Sequence, residues 1–477
     1  MGMVTLALPR QREAPCLPGP STPGPAKQGP AQRWLARLGR VCRRVEAWYA
    51  GFAIYAVCMA LLSGPGVDHD WGIWASGGYA AAAVLSWRWP SRRGRAAALA
   101  AAVAGALAGP AAWLAVCAPS TPDVFVVSRA GQLLLQHGTP YLSGAQLAHG
   151  GFLAYNPYLP VMAVFGLPHA LGLPGLAGDP RPYLAAATTG LLAAAFWVVY
   201  RSRPEARETA AFVTGGSRGA AWAAAAFAVA SPVMALSIAV GITDGPIIAL
   251  IILAMALAVR RGGPAWLAAI VLGVACAMKY TAWPALAVLV VMVAARDGGR
   301  AATRFAATLL ATAGALVVAL APAAFTGRAG LTALAANTIG YPLGLTRTRS
   351  PAASPLPGHL LTTLGPAGHA VALGLLIASG LAIAAWVVAR PPVTVAAATC
   401  RIAACLALLF VFSPATRFGY LDYPLVLFGW LALTHSGSWR FTSRQGTRTR
   451  VFWAREPGRG VGGPRAGVDR VGSDLPT

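Results

Sequence analysis

Residues 241–280 read GITDGPIIALIILAMALAVRRGGPAWLAAIVLGVACAMKY. No charged residue interrupts 245–259 or 262–278, and the break between the two runs carries Arg260 and Arg261. Neither run alternates polar with apolar as a half-buried strand would, and both are long for strands. A helix rises about 1.5 Å per residue, so a run of roughly 18–23 apolar residues crosses a hydrocarbon layer about 30 Å thick. The stretch therefore reads as a pair of membrane-embedded helices turning at a basic loop.

The rest of the chain repeats this pattern. Hydrophobic residues make up 57% of the sequence and charged residues 11%, less than half the charge a soluble domain carries. Mean hydropathy is +0.60. These values predict an all-α, polytopic transmembrane helical bundle of about 12 spans (11–13). Residues 1–46 read as a disordered basic leader, 47–435 as the membrane domain and 436–477 as a basic disordered tail.

A net charge of +24 suggests nucleic acid, but its placement argues against that partner. Arginines precede the first apolar run (Arg33, Arg37, Arg40), follow the last (Arg440 to Arg470), and cluster between runs at Arg88–Arg95 and Arg260–Arg261. This is the distribution that sets membrane topology, and anionic lipid headgroups are its natural partners. The seven cysteines form no C-x-x-C and lie mostly in apolar runs, as small buried hydrophobes do.

The positive-inside tendency then orients the spans. With both termini cytoplasmic, a span at 47–64 leads out, 71–88 returns and 96–118 leads out again, leaving Asp123 on the outer face. The 157–177 segment carries Pro160, Pro168 and Pro174 and reads as a re-entrant or tilted piece, and 182–200 crosses back. A hairpin at 218–240 and 243–260 turns outside at GITDG, and two short spans at 264–279 and 281–295 break near Lys279. Spans at 303–325, 366–389, 393–413 and 420–435 complete the set, leaving 119–156 and 326–365 as the large outer loops. Asp68, Asp70, Asp123, Asp244 and Asp422 all fall on the outer side, so a site is expected there, at a plasma membrane.

Four constellations carry chemistry. Asp123, in STPDVFVVSRAGQLLLQHGTPYL (120–142), suits either a helix cap or a general base. Lys279 sits at a helix break, where an ionisable group faces a cavity or snorkels to the interface. Arg347 and Arg349 occupy an outer loop, where Arg is disfavoured by topology but suited to gripping phosphate. SPATRFGYLDYP (413–424) gathers Arg417, Tyr420, Asp422 and Tyr423, which serve either substrate contact or aromatic-belt anchoring and a structural ion pair. Asp244 suits a turn regardless of function. His137 and His149 are expected as polar contacts in the first large loop, and no metal-ligand spacing joins them. Nor is there a P-loop, a G-x-S-x-G or a G-x-G-x-x-G before a helix.

Taken together, Asp123 followed by SRAGQLLLQHGTPYL, the run YNPYLP, and the G-x-x-D hairpin leading to a small-residue helix ending in Lys279 resemble a known family. Over about 97–435 the chain is similar to the GT-C membrane glycosyltransferases, and most of all to glycosyltransferase family 87, whose characterised members include alpha-mannosyltransferases. The resemblance implies transfer of a hexose, mannose by family habit, from a polyprenyl-phosphate sugar to an acceptor hydroxyl, with inversion. Asp123 occupies the position of the family's catalytic Asp. Two extra spans precede that loop, so Asp68 and Asp70 compete for the role. Phe125 and Ser128 stand where the family pattern often has a Tyr. Lys279, Arg347, Arg349 and Arg417 are the cations for the leaving phosphate; Asp244, His137, Tyr141 and Tyr420 are further contacts. The donor takes the place of a cofactor, and no divalent metal is indicated. The expected partners are membrane lipids, the lipid-linked donor and a glycan, glycolipid or protein acceptor. A transporter or flippase for a lipid-linked or anionic substrate is the competing reading, since broken helices suit it.

Overall fold

A computed structural model describes residues 44–117, 121–202, 206, 219–258 and 264–434. The expected leader as far as residue 43, the expected tail, and Arg260 and Arg261 lie outside the described residues. What is described is helical, with no strand beyond one isolated bridge between Ala353 and Thr416.

Helices α1 (Val45–Leu62), α2 (Val67–Arg88) and α3 (Arg92–Leu114) are followed by α4 (Pro122–His137), which carries Asp123. After an irregular stretch come α5 (Pro180–Ser202), α6 (Ala220–Val229), α7 (Pro232–Val240), α8 (Asp244–Ala258), α9 (Ala265–Cys276) and α10 (Trp283–Asp297). The chain then forms α11 (Gly299–Leu320), α12 (Pro366–Ala389), α13 (Val395–Phe412) and α14 (Asp422–Thr434). Seven described helices are long and apolar enough to cross a membrane: α1, α3, α5, α10 with the 3-10 turn before it, α11, α12 and α13.

The expected 12 crossings are thus not all carried by long helices. The expected single span over 218–240 is two helices, α6 and α7, bent by 71°. Pro232 is the cause: it lacks the N–H that would continue α6, and it drives Ser231 to extended backbone, φ −67° and ψ 147°. The Pro-rich 157–177 segment forms a 3-10 run (Pro160–Gly166) and one short helical turn (Leu167–Ala170), too short to cross as a helix. In α3, the helix loosens into a π turn at Ala104–Ala108 just before Pro110.

The middle of the bundle is α8, in which every residue from Asp244 to Leu257 is buried. A helix apolar on all sides is stable only when surrounded, and α5 and α9 pack along it. Asp244 stands in its first turn, where the helix dipole favours a negative charge. Gly241, in the left-handed conformation at φ +82°, turns the chain from α7 toward α8. A Cβ there would sit 2.6 Å from Val124 of α4, so the turn presses against the helix bearing Asp123. Two turns further along α4, Gly131 meets Gly166 backbone to backbone; a Cβ on Gly131 would lie 2.3 Å from the Gly166 carbonyl carbon. Only glycine lets the 3-10 run approach so closely, and this contact sets the distance between Asp123 and the segment containing Tyr158.

Candidate active site

α9 ends at Cys276 and the chain leaves the helix at Lys279, which is extended at φ −162° and ψ 147°; Pro284, with no N–H to give, stands in the first turn of α10. Freed carbonyls at the end of α9 then need partners. Leu159 N–H donates to Met278 O at 2.9 Å and Val161 N–H to Ala277 O at 3.2 Å. The YNPYLP segment is thereby laid against the broken helix, and Lys279 follows in extended backbone. One set of backbone bonds positions both Tyr158 and Lys279.

Asp123 lies in the first turn of α4, where Thr121 is the N-cap residue. Its carboxylate faces inward instead of capping. Oδ1 accepts a hydrogen bond from Tyr158 Oη at 2.7 Å, and Oδ2 pairs with Arg417 Nη1 at 3.1 Å, across 294 residues of sequence. Burial is the largest influence and disfavours the Arg417 charge, but Asp123 together with Tyr420, Tyr158 and Asp244 outweighs it, and the guanidinium pKa rises above its ordinary value.

A second ion pair lies deeper. Lys279 Nζ contacts Asp244 Oδ1 at 2.6 Å, with Lys279 9% and Asp244 2% exposed. The same Asp244 oxygen accepts from Tyr423 Oη at 2.8 Å, and that hydroxyl lies 2.6 Å from Thr281 Oγ1. The ammonium also sits over the rings of Tyr420 and Tyr158, 4.9 and 5.4 Å from their centroids. Tyr158 therefore touches both ion pairs, through its hydroxyl and through its ring.

A cavity of about 450 Å³ opens between these groups, and Asp123, Tyr158, Lys279, Arg417 and Tyr420 all line it. Tyr155 and Tyr341, stacked at 4.5 Å and 8°, line it as well and link the two large loops. Asn337 clamps those loops: its Oδ1 accepts from Asn156 N–H at 2.8 Å, and its Nδ2 donates to Leu142 O at 3.2 Å. The cavity shares Leu376 and Leu409 with an apolar groove of about 250 Å³ between α10, α12 and α13.

The remaining residues singled out in the sequence lie elsewhere. Asp244 sits behind the cavity wall, holding Lys279, while Tyr141 supports Tyr158 by donating to its carbonyl at 3.0 Å. Asp422 is bonded to Ser237, away from the cavity. Arg347 and Arg349 are exposed and do not line the cavity, and His137 is exposed at the far end of α4. Asp68 and Asp70, in the first turn of α2, do not line it either. The parts played by Tyr158, Asn337 and Tyr341 are not visible in the sequence. YNPYLP stood out as an aromatic-proline run, and Asn337 is a lone amide in the apolar stretch ALAANTIG; each was a detectable irregularity without a visible partner.

Fold and site define a multi-pass, membrane-embedded protein whose charged pocket adjoins an apolar groove. The model of glycosyltransferase family 87 matches residues 156–414, just over half of the chain, which therefore belongs to that family. The family makes it a glycosyltransferase. Tyr158, Asp244, Lys279 and Tyr341 fall within the matched residues; Asp123, Arg417 and Tyr420 fall outside them. No curated protein and no solved structure matches the chain.

Proposed function

We propose that the protein transfers a hexose, with mannose the first to test, from a polyprenyl-phosphate sugar to an acceptor hydroxyl at the outer face of the plasma membrane. The observation that carries this reading is that an apolar groove adjoins the charged cavity, with Leu376 and Leu409 lining both. Such a pair of compartments suits an amphiphile with a charged head and a hydrocarbon tail. A nucleotide sugar has no use for the groove.

In this reading the phosphate lies near Lys279 and Arg417 and the isoprenoid tail runs between α12 and α13. The acceptor oxygen attacks the anomeric carbon from the side opposite the phosphate and inverts it. The bond from that carbon to the phosphate oxygen breaks with its electron pair on the phosphate. The acceptor proton passes to Asp123, which Tyr158 orients. Cations placed where charge grows stabilise the transition state more than the ground state. The transporter reading rests on the broken helices and on a lysine at membrane depth; in the glycosyltransferase reading the break serves to place that lysine, Lys279, at the phosphate.

The test compares membranes carrying the wild type or Asp123→Asn, supplied with radiolabelled polyprenyl-phosphate mannose and scored for transfer. Loss of a general base is expected to lower transfer by about a hundredfold or more. Unchanged transfer in the variant would sink the base assignment. A wild type inactive with several polyprenyl-phosphate sugars overturns the donor class.

A further inference from the structure

We propose that Arg417 changes partners during turnover: it neutralises Asp123 before reaction and passes to the leaving phosphate as Asp123 takes the acceptor proton. This rests on the donor and base assignments above, and it adds a coupling between them.

The two ion pairs of the site are built differently. Lys279 is fixed: it is buried, Asp244 holds it at 2.6 Å, two aromatic rings flank it, and Asp244 is itself anchored by Tyr423. Arg417 meets Asp123 through a single contact at 3.1 Å, and the two side chains are 37% and 20% exposed. A guanidinium that binds a carboxylate through one nitrogen keeps other N–H groups for a second anion. Asp123 is equally prepared for separation, because its other oxygen retains the Tyr158 hydrogen bond.

The backbone confines the exchange to the side chain. Thr416 N–H donates to Ala352 O and Thr416 O accepts from Ser354 N–H, both at 3.0 Å. Phe418 N–H donates to Ser354 Oγ, also at 3.0 Å. The residues on either side of Arg417 are therefore pinned to the neighbouring loop, while its guanidinium lines the cavity.

Charge balance supplies the driving force. Asp123, Arg417, Asp244 and Lys279 sum to zero, and the phosphodiester donor brings one negative charge. Transfer converts that diester to a monoester with a charge of about −1.5 to −2. In the same step the proton lost by the acceptor neutralises Asp123. Arg417 loses its carboxylate partner as a stronger phosphate partner forms, and the total charge of the site does not change. The cation need not be brought in from solvent, and it does not hold the donor's phosphate more tightly than the product's.

Asp123→Asn imitates the protonated carboxyl and keeps an oxygen to accept from Tyr158. Farnesyl phosphate binding to the detergent-solubilised full-length protein is measured by titration calorimetry for wild type, Asp123→Asn, Arg417→Met and the double variant. Asp123→Asn is expected to bind about tenfold more tightly than wild type, the effect of freeing one cation from a competing carboxylate. In the Arg417→Met background the same substitution is expected to give no gain. A purely structural role for the ion pair predicts weaker binding on breaking it. Asp123→Asn binding no tighter than wild type, or a gain that persists without Arg417, overturns the exchange even where sugar transfer is observed. A wild type that neither binds farnesyl phosphate nor transfers sugar overturns the donor reading itself, and the exchange with it.

Discussion

Replacing Asp244 by Asn tests whether the inner ion pair holds the site together. Lys279 and Asp244 are 2.6 Å apart, and neither is more than 9% exposed. At that separation, with an effective dielectric of about 20, their attraction is ~6 kcal/mol, offset by the desolvation of both ions. Removing one partner leaves the desolvation of the other uncompensated, a destabilisation of about 3–5 kcal/mol. The Asn amide still accepts from Tyr423, which puts Asp244→Asn toward the lower end of that range. Adding Lys279→Met removes the stranded charge and is expected to recover most of the loss, since Met fills a similar volume. Thermal denaturation in detergent, followed by tryptophan fluorescence, reads the midpoints of the four proteins in the cycle. An Asp244→Asn midpoint equal to wild type, or a double variant no better than the single, refutes the claim that these charges are coupled and buried. The double variant is expected to remain folded yet inactive in transfer, which separates the two roles of Lys279.

Two further outcomes follow from the cavity walls. Leu376 lines both the cavity and the groove, and Leu376→Trp adds bulk where they meet; it is expected to raise KM at least tenfold for a long-chain polyprenyl-phosphate sugar and to spare a ten-carbon analogue, and equal effects on both chain lengths argue against a tail in the groove. Arg347→Ala and Arg349→Ala remove exposed guanidinium groups outside the cavity, so transfer rates within about threefold of wild type are expected, and a hundredfold loss in either would restore that arginine to the phosphate site.

Most of the long helices are readable from the sequence because their signal is local. Apolar runs ended close to where α1, α5, α12 and α13 end, because hydrocarbon thickness imposes a length that composition records directly. The bend at Ser231–Pro232 was missed although its cause is also local: the proline lies in a run so apolar that composition outweighed it. Asp123, Lys279 and Arg417 stand out because charge is rare in this chain, and Tyr420 because it shares the SPATRFGYLDYP turn with Arg417; all four line one cavity. Sequence could not show how they pair. Arg417 is 294 residues from Asp123, and Asn337 is 181 residues from Asn156. Such distances are closed only by packing, here through Gly131 against Gly166 and through the backbone bonds from Leu159 and Val161 to the end of α9. Arg347 and Arg349 were equally conspicuous by composition, and only their exposure sets them apart.

The two ion pairs also explain how a strongly charged site persists in so apolar a bundle. An unpaired ion at membrane depth is expensive, so each cation must have its own carboxylate before any substrate arrives. Pairing both cations equally tightly would leave none for a phosphate. The site resolves this conflict by depth. Lys279 and Asp244, almost fully buried, form a fixed dipole whose positive end reaches the cavity and whose geometry Tyr423 and the start of α8 maintain. Arg417 and Asp123, nearer to solvent, are held by one contact and can separate without stranding either ion. Tyr158 joins the two layers, since its hydroxyl bonds Asp123 while its ring lies under Lys279. Tyr158→Phe would keep the ring and remove only the hydroxyl, so a fall in transfer without a fall in thermal stability would mark Tyr158 as the residue that positions Asp123.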